Sequence, residues 1–117
     1  MTAPKVLRQP APPPADIGEA DFLALVLDYA RALGYEAYHP WRSDNSEAGF
    51  PDCVFVGNGK IVFAELKARR GRLTAEQRRW ARAIMQAGGT WRLWRPGPAD
   101  WDDIMDVLGG APGGQEG

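Results

Sequence analysis

Asp52, Glu65 and Lys67 are the residues of this chain whose types and spacing could form a metal site. Two β-type runs, Cys53-Val54-Phe55-Val56 and Ile61-Val62-Phe63-Ala64, flank Gly57-Asn58-Gly59-Lys60. Asn-Gly is the strongest short signal for a two-residue hairpin loop. With Asn58-Gly59 as that loop, Gly57 faces Lys60, Val56 faces Ile61, Val54 faces Phe63 and Asp52 faces Glu65. Side chains alternate with period two, so the last three pairs share one face of the hairpin. Lys67 joins that face, two residues beyond Glu65.

Two carboxylates are therefore expected side by side at the end of an apolar ladder. Facing residues of an antiparallel pair have Cβ atoms ~5 Å apart, and like charges there are destabilising. At an effective dielectric of about 20 the repulsion is on the order of 3 kcal/mol. A divalent cation between the carboxylates would turn repulsion into attraction. The competing reading is an exposed sheet end at which Lys67 neutralises one acid. Oxygen ligands without a His or Cys cluster favour magnesium or manganese over zinc.

The elements that must position these residues follow from periodicity. Phe22, Val26, Tyr29 and Leu33 recur at helical spacing and predict a helix over 17–33, with Asp16 as its N-cap. Glu19 stands on the same predicted buried face, and Asp16-Ile17-Gly18-Glu19 fits a capping box. A strand over 35–39 follows Gly34, ending at His39, the chain's single histidine. The polar segment 40–49 leads into Asp52 and should form one wall of the site. Both faces of the hairpin strands are apolar, which predicts central strands covered on both sides. Thr74 starts a second helix, with Gln77 completing a capping box, and Gly88-Gly89 ends it. Thr90 to Arg95 reads as a fourth strand, parallel to the third through the helical crossover. Asp100 is expected to cap a last helix over 101–108. The fold class is α/β, a four-stranded mixed sheet flanked by helices in the order α-β-β-β-α-β-α.

At 117 residues the chain fits one small domain. Residues 1–15 hold five of the ten prolines and 109–117 five of the fourteen glycines, so both ends read as disordered tails around a packed domain at 16–108. One cysteine, Cys53, excludes an internal disulfide. No apolar run reaches the length of a membrane span or signal core, so the expected setting is intracellular and cytoplasmic. A composition rich in Ala, Gly, Pro, Arg and Trp fits a GC-rich bacterial or phage genome.

Net charge is only -1, but its distribution is uneven. Residues 67–82 carry seven of the fourteen cations against one acid, Glu76. Arg69, Arg70 and Arg72 follow Lys67 directly and suit bidentate phosphate contact. Arg78, Arg79 and Arg82 fit a solvated helix face equally well. Trp41 follows Pro40 in a loop, where it could stack on an unpaired base or pack over the sheet edge.

Residues 19–80 resemble the PD-(D/E)xK nucleases, most closely their VRR-NUC branch (virus-type replication–repair nuclease domains). The resemblance rests on Glu19, on Ser46-Glu47-Ala48-Gly49-Phe50-Pro51-Asp52, on Phe63-Ala64-Glu65-Leu66-Lys67, and on Gly71-Arg72-Leu73-Thr74-Ala75-Glu76-Gln77. It implies a restriction-endonuclease-like core and metal-dependent hydrolysis of DNA phosphodiesters. It further implies Asp52, Glu65 and Lys67 as catalytic residues, with Gln77 supporting the site and Trp80 packing behind it. Metal ligands would be Asp52, Glu65, Glu19 and a backbone carbonyl of Leu66 or Ala64. Ser46, Trp41, Arg69, Arg70 and Arg72 would contact DNA. Short stand-alone members suggest branched substrates such as four-way junctions and a homodimer. The alternatives are a catalytically inactive nucleic-acid-binding module of the same fold and an accessory protein whose basic segment binds an acidic partner.

Overall fold

The computed structural model describes residues 11–40 and 47–109. Its central feature is the hairpin formed by β2 (Cys53–Gly57) and β3 (Lys60–Leu66), joined by Asn58-Gly59. Both loop residues have positive φ, 50° and 76°. This is the backbone of a type I′ turn, whose twist matches that of the strands it joins. The register runs Gly57 to Lys60, Val56 to Ile61, Val54 to Phe63 and Cys53 to Ala64, as the turn predicts.

β1 (Glu36–Tyr38) pairs antiparallel with β2, and β4 (Thr90–Trp94) pairs parallel with β3. The sheet order is β1-β2-β3-β4, mixed, with the hairpin in the middle. Helices α1 (Glu19–Ala32), α2 (Ala75–Gln86) and α3 (Pro98–Gly109) complete the expected order.

The core lies on one face of the sheet. Cys53, Phe55, Val62, Ala64 and Leu66 point into it and meet Phe22, Val26, Leu27 and Ala30 of α1 and Trp101, Ile104 and Leu108 of α3. Trp94, wholly buried, packs at 6.4 Å from the Phe55 ring. Two hydrogen bonds hold the C-terminal end of α3: Tyr35 Oη donates to the Leu108 carbonyl at 2.8 Å, and Lys60 Nζ to that of Val107 at 2.6 Å.

The opposite face differs from the expectation of full cover. Val56 and Ile61 are 46% and 55% exposed. On this face Phe63 meets Phe50, which packs on Trp80 of α2. Val56 and Ile61 instead line an open cleft with Gly88, Gly89 and Thr90, the residues that lead from α2 (12 residues) into β4.

Two helix starts also differ. α1 begins at Glu19 with Gly18 as N-cap and no side-chain cap, because residues 14–17 form a turn closed by Ile17 N–H to the Pro14 carbonyl. Asp16 is thus outside the helix, and Glu19, in its first turn, is exposed rather than on the buried face. α3 begins at Pro98, a residue pre-set for a first helical turn. Asp100 lies inside that turn and its Oδ2 accepts from the Arg95 N–H at 2.7 Å, so it closes the strand-to-helix connection instead of capping.

Candidate metal centre

The hairpin register leads directly to the site. Beyond Cys53 and Ala64 the next facing positions are Asp52 and Glu65, at the end of the sheet away from the turn. Asp52 Oδ2 accepts from the Leu66 N–H at 2.9 Å, which holds the Asp52 side chain across to β3. Glu65 is 1% exposed, the one charged residue type buried among the described residues.

Burial of that carboxyl has an electrostatic consequence. Desolvation, followed by the hydrogen-bonding and negative charge of Asp52, raises the Glu65 pKa from 4.5 to about 9. The charge of Glu19 acts in the same direction and that of Lys67 opposes it. Glu65 Oε2 accepts from Gln77 Nε2 at 2.9 Å, whereas Oε1 is buried with no donor among the described residues. When both acids are ionised they can only accept, so neither can satisfy the other. A proton between them, or a cation, removes the conflict.

Gln77 serves two elements at once. Thr74 Oγ1 accepts from the Gln77 N–H at 3.1 Å, and Gln77 Oε1 accepts from the Thr74 N–H at 2.9 Å, a complete capping box. With Oε1 occupied, the amide nitrogen is the end that faces Glu65. The start of α2 is therefore tied to the middle of the site.

Lys67 follows β3, and its N–H donates to the Trp94 carbonyl at 3.1 Å, continuing the parallel ladder. The half-buried side chain runs beside Gly71, where a Cβ would come within 3.2 Å of its Cβ and Cδ. The Gly71 carbonyl in turn accepts from Arg95 Nη2 at 2.6 Å, so the loop after β3 is anchored to the end of β4. Arg69, Arg70 and Arg72 project from this loop, exposed and without an ion pair among the described residues.

Glu19, Asp52 and Leu66 line a cavity of about 370 Å³ together with Ala20 and Leu23. Glu19 Oε1 lies 3.3 Å from the Ala68 N–H, a long hydrogen bond across to the same loop. No three His, Cys, Asp or Glu side chains converge as a complete metal cage among the described residues. The donor set still fits magnesium or manganese. Such ions take one or two carboxylates and fill their remaining positions with water and phosphate oxygens. Glu65 Oε1, buried and without a donor beside Asp52, is the atom that such an ion would satisfy.

The structure thus brings Asp52, Glu65, Gln77 and the loop of Lys67 together, with Glu19 and Leu66 on the adjoining cavity. Trp41 and Ser46 lie outside the described residues. Trp80 packs edge-on against Phe50 at 5.1 Å. Sequence reasoning assigned no part to Phe50 or Arg95. Phe50 stood inside the Gly-Phe-Pro-Asp string, whereas nothing local to Arg95 signals its reach to Gly71.

No protein-family model and no curated protein matches the chain. Solved structures do. A chain described as a VRR_NUC domain is 18% identical, with a TM-score of 0.63, covering 75% of this chain and 94% of its own length. A VRR_NUC domain protein is 14% identical, with a TM-score of 0.60, covering 80% and 87%.

Because Glu65 binds its proton more tightly when folded, the metal-free protein holds more protons folded than unfolded between pH 4.5 and about 9. Its stability should fall as pH rises through that window. Thermal unfolding in chelator is expected to show that slope, and Glu65→Gln to flatten it. Asp52→Asn should be at least as stable as the parent at pH 8. By its architecture the chain has the VRR-NUC fold, an α/β mixed sheet of the restriction-endonuclease-like kind.

Proposed function

We propose that this chain is a VRR-NUC family nuclease, a divalent-metal-dependent DNA endonuclease. The observation that carries this reading is the Asp52–Glu65 pair, an acid buried to 1% exposure with one oxygen lacking a donor and a second acid beside it. A purely structural sheet end would not retain that conflict. The fold shared with VRR_NUC domain structures supports the same reading.

Asp52 and Glu65 would hold magnesium or manganese, with Glu19 and the Leu66 carbonyl as further oxygen ligands, direct or through water. Such an ion supplies Lewis acidity toward a phosphoryl oxygen and lowers the pKa of a coordinated water. Gln77 fixes the Glu65 rotamer by holding Oε2, which leaves Oε1 as the free ligand atom. Lys67, its stem lodged against Gly71, positions the attacking water or stabilises charge developing on the phosphate. Arg69, Arg70 and Arg72 bind backbone phosphates, and Ser46 and Trp41 are assigned to the DNA-facing wall. Hydrolysis then cleaves one phosphodiester into a phosphate and a hydroxyl end. The substrate proposed is branched DNA such as a four-way junction, cut by a homodimer, since symmetric cleavage of two strands needs two sites and one chain carries one.

A binding module of the same fold without chemistry is the second reading, favoured by the lack of three convergent ligands among the described residues. Cleavage assays with magnesium, and with excess chelator, separate the two. Asp52→Ala, Glu65→Ala and Lys67→Ala should each lower cleavage by about 100-fold or more while DNA binding persists. Cleavage at the parent rate in excess chelator would rule out the metal-dependent enzyme.

Replacing Arg69, Arg70 and Arg72 together with Ala should weaken binding to all sequences alike. The slope of log affinity against log salt should become shallower by up to ~3. Selective loss at one sequence with an unchanged slope would overturn the phosphate-binding role.

The aromatic-rich final strand and helix, Trp91 to Leu108, are the candidate dimer surface. Since Trp94, Trp101, Ile104 and Leu108 are buried within the subunit, only partly exposed residues such as Trp91 and Met105 are available there. Light scattering at micromolar concentration is expected to give twice the monomer mass, and junction to outcompete linear duplex. A monomer that cuts both equally would remove the dimer and the branched substrate.

A further inference from the structure

Gly49 and Phe50 lie just before the buried Pro51 and the acid Asp52. Gly49 has a φ of +84°, which disfavours any residue with a side chain. The space around it is closed as well. A Cβ at Gly49 would sit 2.4 Å from the backbone carbon of Glu76 and 2.5 Å from its carbonyl oxygen. These atoms belong to the first turn of α2 and cannot rotate away as a side chain would. The loop backbone therefore rests directly on the peptide unit that joins Glu76 to Gln77.

Phe50 ties the same loop to α2 and to β3. Its ring meets Trp80 of α2 edge-on at 5.1 Å and Phe63 of β3 edge-on at 6.2 Å. Pro51 then fixes its own φ and is fully buried. From Gly49 to Asp52 the chain has little rotational freedom left. Gln77, on the same helical turn that Gly49 touches, holds Glu65. Both acids are thus referenced to one object: Asp52 through Gly49 and Phe50, Glu65 through Gln77.

We infer that the first turn of α2 is the gauge that sets the separation of the Asp52 and Glu65 carboxyls, and that Gly49 and Phe50 are positioning residues that transmit it to Asp52. The inference rests on the metal-site reading for its function, though not for its geometry. Positioning partners of metal ligands change affinity by about 10–100-fold when removed, without touching the ion.

The test compares Gly49→Ala and Phe50→Leu with the parent and with Tyr35→Phe. The last variant loses the hydrogen bond to Leu108 near the far end of the sheet and controls for general destabilisation. Amide exchange of Leu66, whose N–H donates to Asp52, reports the Asp52 position without any metal. Calorimetric titration with Mn2+ reports ligand geometry. Expected results are faster exchange at Leu66 and a Mn2+ affinity lower by ~10-fold or more in both loop variants, with neither change in Tyr35→Phe. Should Gly49→Ala not fold, Phe50→Leu decides alone. Leu66 exchange as slow in Phe50→Leu as in the parent, or equal loss in Tyr35→Phe, overturns the inference. A Mn2+ affinity equal to that of a Mn2+-binding parent does so too. A parent that binds no Mn2+ defeats the metal reading instead, and the Leu66 amide still decides the gauge.

Discussion

Burying the Glu65 carboxyl beside Asp52 is the constraint around which the rest of this end of the molecule is arranged. A buried acid with an unpaired oxygen is costly, because in the ionised form that oxygen loses water and gains no donor in return. The fold can tolerate that cost only where the surrounding atoms leave no other rotamer. Gln77 takes one oxygen, the Leu66 N–H takes an oxygen of Asp52, and the two acids face one another at the register the turn dictates.

That arrangement draws on distant parts of the chain. Asn58-Gly59 sits at the opposite end of the hairpin, yet a one-residue change of register would send Glu65 to the other face. The parallel ladder to β4 continues through Lys67, and Arg95 reaches back to the loop that carries the arginines. The hydrophobic layer under α1 and α3 holds the sheet in place, while the polar chemistry sits at the strand ends. Stability and site are thus separated along the length of the same strands.

The departures from sequence expectation share a cause. Asp16 and Asp100 are good capping residues, but a turn at 14–17 and a proline at position 98 determined where those helices begin. Glu19 kept its place near Asp52 while losing the buried face assigned by periodicity, because a side chain in a first turn sits at the helix end and not within its packed stripe. Apolar residues on both faces of the hairpin predicted cover on both sides, whereas Val56 and Ile61 near the turn stay exposed because cover depends on which elements pack over each face.

Local chemistry was enough to determine the hairpin, its register, the capping box at Thr74 and Gln77, the parallel return of β4 and the meeting of Asp52 with Glu65. Each of these follows from turn residues, alternation or the handedness of a crossover, and all are short-range or topological. Only the tertiary structure decided that Gln77 turns its amide to Glu65, that Gly49 rests on the backbone of Glu76, and that Arg95 anchors Gly71. Those contacts join residues 12, 27 and 24 positions apart across different elements. Their partners are chosen by the distances between packed backbones, and no pattern along a single element encodes such a distance.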